Sequence, residues 1–277
     1  SISHGSALYC ITADSALSFD VVLADGSLLS TGTASAGAKP FMRHFGPDLT
    51  GLFTGDCGSL AVKARVTLPV IARRPAHRVI SFSFPTFEAM HDSMRLIARE
   101  KIEDTHFALD AALSQGQIAR QERAGATFGM ALSILKSSPN LCAGVKQLMK
   151  AAFTAKRDIK AANYMTHYIV EGFSDEEVKA RMHRMREING DLGTEIGATV
   201  PAVVRGMPFA EFYNVLGPNG ERWVPMHVNL PHSAASAFDR DFKQLLKDRK
   251  AEMDRLGVWT GGMYGAIGSG GFLYEIA

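Results

Sequence analysis

The most constraining feature of this sequence is a glycine-dense segment, Gly46–Val62, that leads directly into a β-type run. Glycine lets the backbone approach a ligand closely and adopt conformations that other residues avoid. Successive free N–H groups in such a segment can cradle a phosphate or another polar ligand edge. From spacing alone two interpretations stay open: a ligand-binding loop, or a tight turn between strands.

The residues around this segment are rich in short β-type runs. Phe19–Ala24 and Ser27–Ser30 flank the pair Asp25–Gly26, which can adopt the positive φ angles of a type I′ turn, so the sequence predicts a hairpin. Leu60–Val70 alternates apolar and polar residues, as expected of a strand with one solvent-facing side. The basic, proline-bearing segment Ile71–Pro75 then marks the predicted domain boundary.

Beyond this boundary the pattern changes to strands that alternate with longer helices. The predicted elements are a strand at His77–Phe84, a helix from Pro85 to Glu100, helical stretches within 127–157, a strand at Asn163–Val170, a helix from Ser174 to Gly190, a helix at Ala234–Leu256, and strands at Val258–Ile267 and Phe272–Ala277. Ser174 and Glu177 have the spacing of a capping box. Strands separated by helices, without glycine-rich βα turns, indicate an α+β fold with an antiparallel sheet flanked by helices.

Composition narrows the classes of partner. The sequence is 46% hydrophobic and 21% charged with a net charge of +2, which gives no reason to expect binding to nucleic acid or to an anionic membrane surface. Three cysteines without CxxC spacing fit a reducing compartment, and no apolar run approaches the roughly 20 residues of a membrane span. We therefore expect a cytoplasmic protein. The absent initiating Met and the strand-like last residues predict a fragment of a longer chain.

Three motifs carry a family resemblance. The strand and turn at Val21–Gly26, the segment Gly46–Val62 and the upstream run Tyr9–Asp14 resemble the paired signature of FAD-linked oxidases of the vanillyl-alcohol oxidase superfamily, which includes glycolate oxidase and D-lactate dehydrogenase subunits. In that family the second motif reads G-x-D-L-x-x-L-x-x-G-S-E-G-T-L-G-I, and the upstream run reads Y-G-x-x-x-D. The match covers about the first quarter of the chain.

The resemblance implies a domain assignment and a cofactor site. Residues 1–75 would form the C-terminal half of a non-Rossmann, PCMH-type FAD-binding domain, and residues 76–277 a substrate-binding cap domain truncated at its C-terminal end. The residues implied to bind FAD are Asp14, Gly55, Asp56, Gly58, Ser59, Leu60 and Val62. This chain departs from the family at Cys10, at Asp56–Cys57 and at Ala61, where it adds side chains to positions that in the family lie against the flavin.

On the cap side, the segment Arg222–His232 is the most suggestive. His227 and Asn229 would share one face of a strand, and an imidazole that titrates near neutrality could take a proton while hydride passes to the flavin. The alternative is a surface or structural histidine. The spacing of His227 and His232, without an acidic residue, does not match the H-x-G-D-G-N-x-H metal motif of some members, so no metal site is predicted.

The resemblance thus implies an FAD-dependent oxidoreductase that oxidises an alcohol carbon. The substrate would be a 2-hydroxy acid such as lactate or glycolate, or a benzylic or phenolic alcohol. The further partners expected are an electron-acceptor protein or a quinone, and a second copy in a homo-oligomer. The alternative is a non-catalytic fragment or accessory subunit that does not bind FAD by itself, which the three departures favour.

Overall fold

The computed structural model describes residues 5–115, 162–206, 222 and 224–276. They form two compact units: unit 1 contains Tyr9–Arg73, and unit 2 contains Arg74–Ala277 together with the described residues before Tyr9. The helical stretches predicted within 127–157 lie outside the described residues. No helix in the part of the chain that is described has the length and apolar character needed to cross a bilayer.

Unit 1 is built, in its described residues, on a three-stranded antiparallel sheet in the order β2-β1-β3. Its strands are β1 Ser18–Val22, β2 Leu28–Ser30 and β3 Val62–Thr67, and its helix is α2 Leu49–Leu52, with 3₁₀ turns at Thr12–Ser15 and Gly32–Ala36. The short helix α1, Ser6–Tyr9, belongs to unit 2 except for its last residue. Its small core consists of Ala16, Phe19, Val21, Phe53 and Ala61.

The predicted hairpin forms between β1 and β2, but its turn is not of type I′. Only Gly26 has a positive φ, of 83°, whereas Asp25 does not, and the Gly26 N–H donates to the Leu23 carbonyl over 3.0 Å. The Asp25 carboxylate also accepts from the Ser27 N–H at 2.9 Å. A turn closed in this way, with one left-handed glycine, is the common three-residue hairpin loop.

The strand predicted at Leu60–Val70 also forms, as β3, but it does not bury one side. Val62 and Val66 keep 67% and 47% of their surface exposed. The core of unit 1 takes its strand residues from β1 and none from Val62–Thr67, so neither face of β3 is covered by the described residues. The prediction of a half-buried strand was therefore wrong.

Unit 2 contains a seven-stranded antiparallel sheet, in its described residues, with the order β7-β4-β6-β5-β9-β10-β8. The strands are β4 Ala76–Phe84, β5 Thr105–Asp110, β6 Tyr164–Gly172, β7 Thr194–Ile196, β8 Met226–Pro231, β9 Gly262–Ile267 and β10 Gly271–Ile276. The helices are α3 Phe87–Glu100, α4 Asp175–Asn189, α5 Thr199–Gly206, α6 His232–Asp248 and α7 Lys250–Leu256. This arrangement confirms the predicted α+β class.

The main core lies between one face of this sheet and helices α3, α4 and α6. From the sheet it takes alternate residues such as Phe82, Tyr168 and Phe272, and from the helices apolar residues such as Met94 and Met185. Alternate side chains of a strand point to opposite faces, so the residues between these belong to the other side of the sheet. We call that other side the second face.

The helix ends follow local capping chemistry. Thr86 caps α3 by accepting from the Ala89 N–H at 3.2 Å, and Ser174 caps α4 by accepting from the Glu177 N–H at 3.1 Å. The Glu177 carboxylate reaches back to the N–H of Phe173 at 2.8 Å, one residue earlier than in a standard capping box. The helix predicted at Ala234–Leu256 is broken at Arg249, whose backbone lies at φ −95° and ψ 0°.

Candidate functional site

The residues predicted to bind FAD lie mainly on one loop of unit 1 that connects α2 to β3. Five of them lie on this loop: Gly55, Asp56, Gly58, Ser59 and Leu60. Val62 begins β3. Gly55 and Gly58 have left-handed φ angles of 72° and 77°, and a Cβ built on either would meet no atom within 4 Å. The backbone of this loop is therefore open to an approaching ligand, as the ligand-loop interpretation requires.

The carboxylate of Asp56 is turned back onto this loop. Its Oδ1 accepts from the Gly58 N–H at 3.2 Å and pairs with the Lys63 ammonium, and its side chain is only 5% exposed. The Lys63 hydrogen bond holds the pKa of Asp56 below its ordinary value, so the carboxylate is ionised at neutral pH. One N–H donor of the loop is thus already occupied by an internal anion. The loop fits a ligand that lies on its backbone, in competition with Asp56 for that donor.

Asp14 does not lie on this loop, but Arg43 ties its segment to the start of α2, the helix that precedes the loop. The Arg43 Nη1 donates to the carbonyl of Ala13 at 2.8 Å, and its Nη2 donates to Asp48 at 2.9 Å. The Asp48 carboxylate in turn accepts from the Gly51 N–H at 2.9 Å at the start of α2. Sequence reasoning missed Arg43, because a single arginine outside the motifs carries no signal of its partners.

The base of the loop is fixed in the core of unit 1 by two buried hydroxyls. Thr31, after β2, and Thr50, in α2, place their Oγ1 atoms 2.8 Å apart, and both side chains are fully buried. The Thr31 Oγ1 also accepts from the Phe19 N–H of β1 at 2.8 Å. This chain of hydrogen bonds links α2 to the sheet, so the loop leaves from a fixed point.

In unit 2, His227 lies on the edge strand β8 and directly opposite Glu275 on β10. Residues paired in this way project on the same face of an antiparallel sheet. His227 is exposed, whereas Glu275 is buried; burial raises the pKa of Glu275, and the nearby His227 opposes that rise. The arrangement can place a carboxylate beside an imidazole that takes a proton. The sequence did not reveal Glu275, because strand register cannot be read from spacing.

His232 does not join His227. It is the first residue of α6, and its Nδ1 lies 3.0 Å from the Nε2 of His91 on α3. The two imidazoles pack against Phe272, on the side of the sheet that α3, α4 and α6 cover. Burial, and then the proximity of His91, lower the pKa of His232 to about 4. The structure therefore separates two histidines that lie close together in the sequence.

The second face, on which His227 and Glu275 lie, is otherwise mostly apolar. One row across it reads Ser83, Met165, Leu109, Met263, Glu275 and His227. At positions of this face in the described strands there is no lysine or arginine. Helix α5 packs over part of the face, with Val200 against Met165, and its Arg205 pairs there with Glu171 at 2.9 Å.

The chain matches solved structures in fold but no known sequence family. No protein-family description and no curated protein matches its sequence. It superposes on p-cresol methylhydroxylase with substrate bound at a TM-score of 0.60 and 15% identity, covering 94% of this chain and 50% of that chain. It superposes on the 4-ethylphenol oxidase from Gulosibacter chungangensis, in an isoeugenol complex, at a TM-score of 0.58 and 11% identity, covering 94% of this chain and 50% of that chain.

An alkyldihydroxyacetonephosphate synthase gives a TM-score of 0.55 and 17% identity, with 95% of this chain and 44% of that chain covered. The chain thus spans about half the length of the structures that it matches. At these identities the similarity shows the fold. The fold expected from the motif resemblance is thereby confirmed.

Proposed function

We propose that this chain is part of an FAD-dependent oxidoreductase that oxidises a carbon of a small alcohol. The observation that carries the proposal is the fold, which is shared with p-cresol methylhydroxylase and 4-ethylphenol oxidase over 94% of the chain. The open, left-handed glycines of the loop after α2 support it independently. A shared fold can host different chemistry, as the synthase among the similar structures illustrates, so the function rests on these residues as well.

In this proposal the two units have different roles. The backbone at Gly55 and Gly58 would hold FAD, together with the neighbouring residues Ser59 and Leu60. FAD, when bound, accepts the hydride that leaves the substrate carbon. The imidazole of His227 would take the hydroxyl proton, and Glu275 beside it would stabilise the protonated ring. An electron-acceptor protein or a quinone, and a homo-oligomeric state, remain parts of the proposal.

Of the two substrate classes, an uncharged aromatic alcohol or a phenol fits better than a 2-hydroxy acid. A carboxylate that leaves water needs a positive partner; the described strands place no lysine or arginine on the second face, and Arg205 of α5, which reaches this face, is already paired with Glu171 at 2.9 Å. Apolar side chains such as Met165, Leu109 and Met263 suit a ring instead. Two of the similar structures are named for p-cresol and 4-ethylphenol, which are aromatic compounds with a single hydroxyl.

FAD binding is the first test. The purified chain is incubated with FAD and passed through a desalting column, and the flavin absorbance that travels with the protein is measured. We expect a yellow protein that carries flavin, and quenching of flavin fluorescence on titration. A colourless protein with unquenched flavin in solution contradicts the proposal for this chain.

The second candidate, a module that does not bind FAD by itself, is favoured by the position of Asp56. Its carboxylate occupies a loop donor and adds negative charge where an anionic cofactor would approach. The substitution Asp56→Ser frees the Gly58 N–H and removes that charge. If the loop is a cofactor site, we expect FAD to bind about tenfold more tightly, the effect of one hydrogen bond to a charged group.

The matched control is Asp20→Ser, which removes an aspartate of the same unit that pairs with Arg65 on the sheet. Its FAD affinity should equal that of the wild type. If neither the wild type nor Asp56→Ser binds FAD, the module interpretation holds.

A further inference from the structure

The loop that connects α2 to β3 contains a turn with an unusual backbone. The Ser59 N–H donates to the Asp56 carbonyl at 3.0 Å and closes the turn. Its two central residues, Cys57 and Gly58, both have a left-handed φ, of 52° and 77°, as in a type I′ turn. Cys57 adopts this conformation although its side chain disfavours it. Tight turns with left-handed residues can direct successive N–H groups into one concavity that binds an anion.

A carboxylate already occupies this turn. The Asp56 Oδ1 accepts from the Gly58 N–H at 3.2 Å and pairs with the ammonium of Lys63, near the start of β3. Lys63, and then the N–H groups of Gly58 and Leu60, hold the pKa of Asp56 below its ordinary value. The Asp56 Oδ2 is buried and has no hydrogen-bond partner among the described residues. Backbone N–H groups beside a lysine bind phosphate oxygens in proteins, so Asp56 stands where an external anion would bind.

The donors of this turn lie at the surface of unit 1. Gly58 and Leu60 are exposed, and a Cβ built on Gly58 would meet no atom within 4 Å. The Lys63 side chain keeps 28% of its surface exposed. An anion from solvent therefore reaches the turn once the Asp56 carboxylate rotates into water, and no internal cavity is required. A phosphate group carries more negative charge and more acceptor oxygens than a carboxylate, so it gains more from the lysine.

We propose that Lys63 and the N–H groups of Gly58 and Leu60 form a binding site for a diphosphate group, which Asp56 occupies until the diphosphate displaces it. The choice of diphosphate among phosphate anions rests on the proposed function, since FAD carries one. The anion site itself rests on the turn and the ion pair of unit 1. Lys63 then binds the ligand directly, although it lies outside the residues that the motif resemblance implies for the cofactor.

The test is a calorimetric titration of the whole chain, at low ionic strength, with ADP, adenosine and inorganic pyrophosphate. ADP and adenosine differ only in the diphosphate, and pyrophosphate lacks the nucleoside. We expect ADP to bind and adenosine not to bind. Pyrophosphate identifies the source of the anion: tighter binding of ADP indicates a nucleotide site, whereas equal or tighter binding of pyrophosphate indicates a site for the free anion. Either result supports the diphosphate site.

Variants then separate specific binding from attraction by charge alone. Lys63→Gln should weaken ADP binding about tenfold, the effect of one hydrogen bond to a charged group. The matched control is Arg65→Gln, which removes the same charge from the same strand; Arg65 pairs with Asp20, and 78% of its side chain is exposed. That variant should keep the wild-type affinity. Asp56→Ser should bind ADP more tightly, because the competing carboxylate is gone.

The amide resonances of ¹⁵N-labelled protein give a second readout that needs no variant. ADP should move the Gly58 and Leu60 amide resonances, because their N–H groups exchange a carboxylate for a phosphate oxygen, and adenosine should leave both in place. If Lys63→Gln does not fold, these wild-type resonances still decide the question.

Two results would overturn the proposal: an equal loss of ADP affinity in Lys63→Gln and Arg65→Gln, or a Gly58 amide resonance that stays fixed at saturating ADP. Because no flavin is present in these titrations, their outcome is separate from that of the FAD test. A chain that binds ADP at this turn but no FAD would retain the anion site and lose the proposed function. A chain that binds FAD while ADP leaves the Gly58 resonance in place would do the reverse.

Discussion

At the scale of single residues, Glu103 is the most unusual group in the core of unit 2. It precedes β5, is 1% exposed, and its Oε1 lies 3.6 Å from the Nδ1 of His106. Its Oε2 has no hydrogen-bond partner among the described residues. Burial raises the pKa of Glu103 to about 8, so the folded protein keeps this carboxyl protonated at neutral pH.

This protonation predicts a stability that falls as pH rises. The unfolded chain releases the proton near the ordinary pKa of 4.5, whereas the folded chain holds it to about 8, so between these values the unfolded state binds fewer protons. Between pH 5 and pH 8 the Glu103 contribution to the free energy of unfolding should fall by about 4 kcal/mol. Glu103→Gln should remove this slope, as urea unfolding at the two pH values will measure.

The control for Glu103 is Glu100→Gln. Glu100 is an exposed residue of α3 whose pKa is lowered by its hydrogen bond to Arg184. That variant should keep the wild-type fall in stability between pH 5 and pH 8. An unchanged slope in Glu103→Gln would show that Glu103 is ionised in the folded protein.

At the scale of elements, helix caps provide the most local test of the fold. Ser174→Ala removes the side-chain oxygen that accepts from the Glu177 N–H at the start of α4. The expected loss is about 1 kcal/mol in the free energy of unfolding, measured in urea. Ser174→Asp keeps an acceptor and should retain the wild-type value; an equal loss in both variants would contradict the capping role.

The elements that could be predicted from the sequence are those fixed by nearby residues. The start of α3 at Thr86 and that of α4 at Ser174 depend on a few consecutive residues, and the hairpin depends on Asp25–Gly26. The break at Arg249 was missed, because no proline or glycine marks it. The glycine loop was likewise recognisable by its composition. The hydrogen bond from the Gly58 N–H to the Asp56 carboxylate was not.

Contacts between distant strands could not be predicted. His227 was singled out for its residue type and its strand, yet Glu275 beside it is 48 positions away. The Ser81–His167 contact joins residues 86 positions apart. Register sets such pairs, and register follows from the whole sheet, with side-chain pairing and turns acting together.

At the scale of the whole molecule, the segment 68–75, between the end of β3 and the start of β4, connects the two units along the chain. Val70 and Ile71 keep 96% and 67% of their surface exposed, and Arg73 is exposed as well. Arg74 instead pairs with Asp104 and donates to the Glu171 carbonyl within unit 2. The predicted domain boundary within Ile71–Pro75 remains a prediction that cleavage can test.

Limited digestion with trypsin should cut after Arg73. Exposed segments without secondary structure are preferred sites of proteolysis, and the next bond, Arg74–Pro75, resists trypsin because of its proline. Mass spectrometry of the early products should find a chain that begins at Arg74. Arg73→Gln should abolish that product while leaving other cuts in place. If the product that begins at Arg74 is absent from the wild-type digest, the boundary lies elsewhere.

The exposed strand β3 has a consequence for the solubility of the chain. An edge strand offers unpaired N–H and C=O groups to any other strand, and Val62 and Val66 add apolar surface to that edge. Lys63 and Arg65 alternate with them, and each pairs with an aspartate of its own unit, so a second copy that docked on this edge would have to remove both ion pairs from water. These charged side chains therefore protect the edge against aggregation, and because salt weakens exposed ion pairs, self-association should rise with ionic strength.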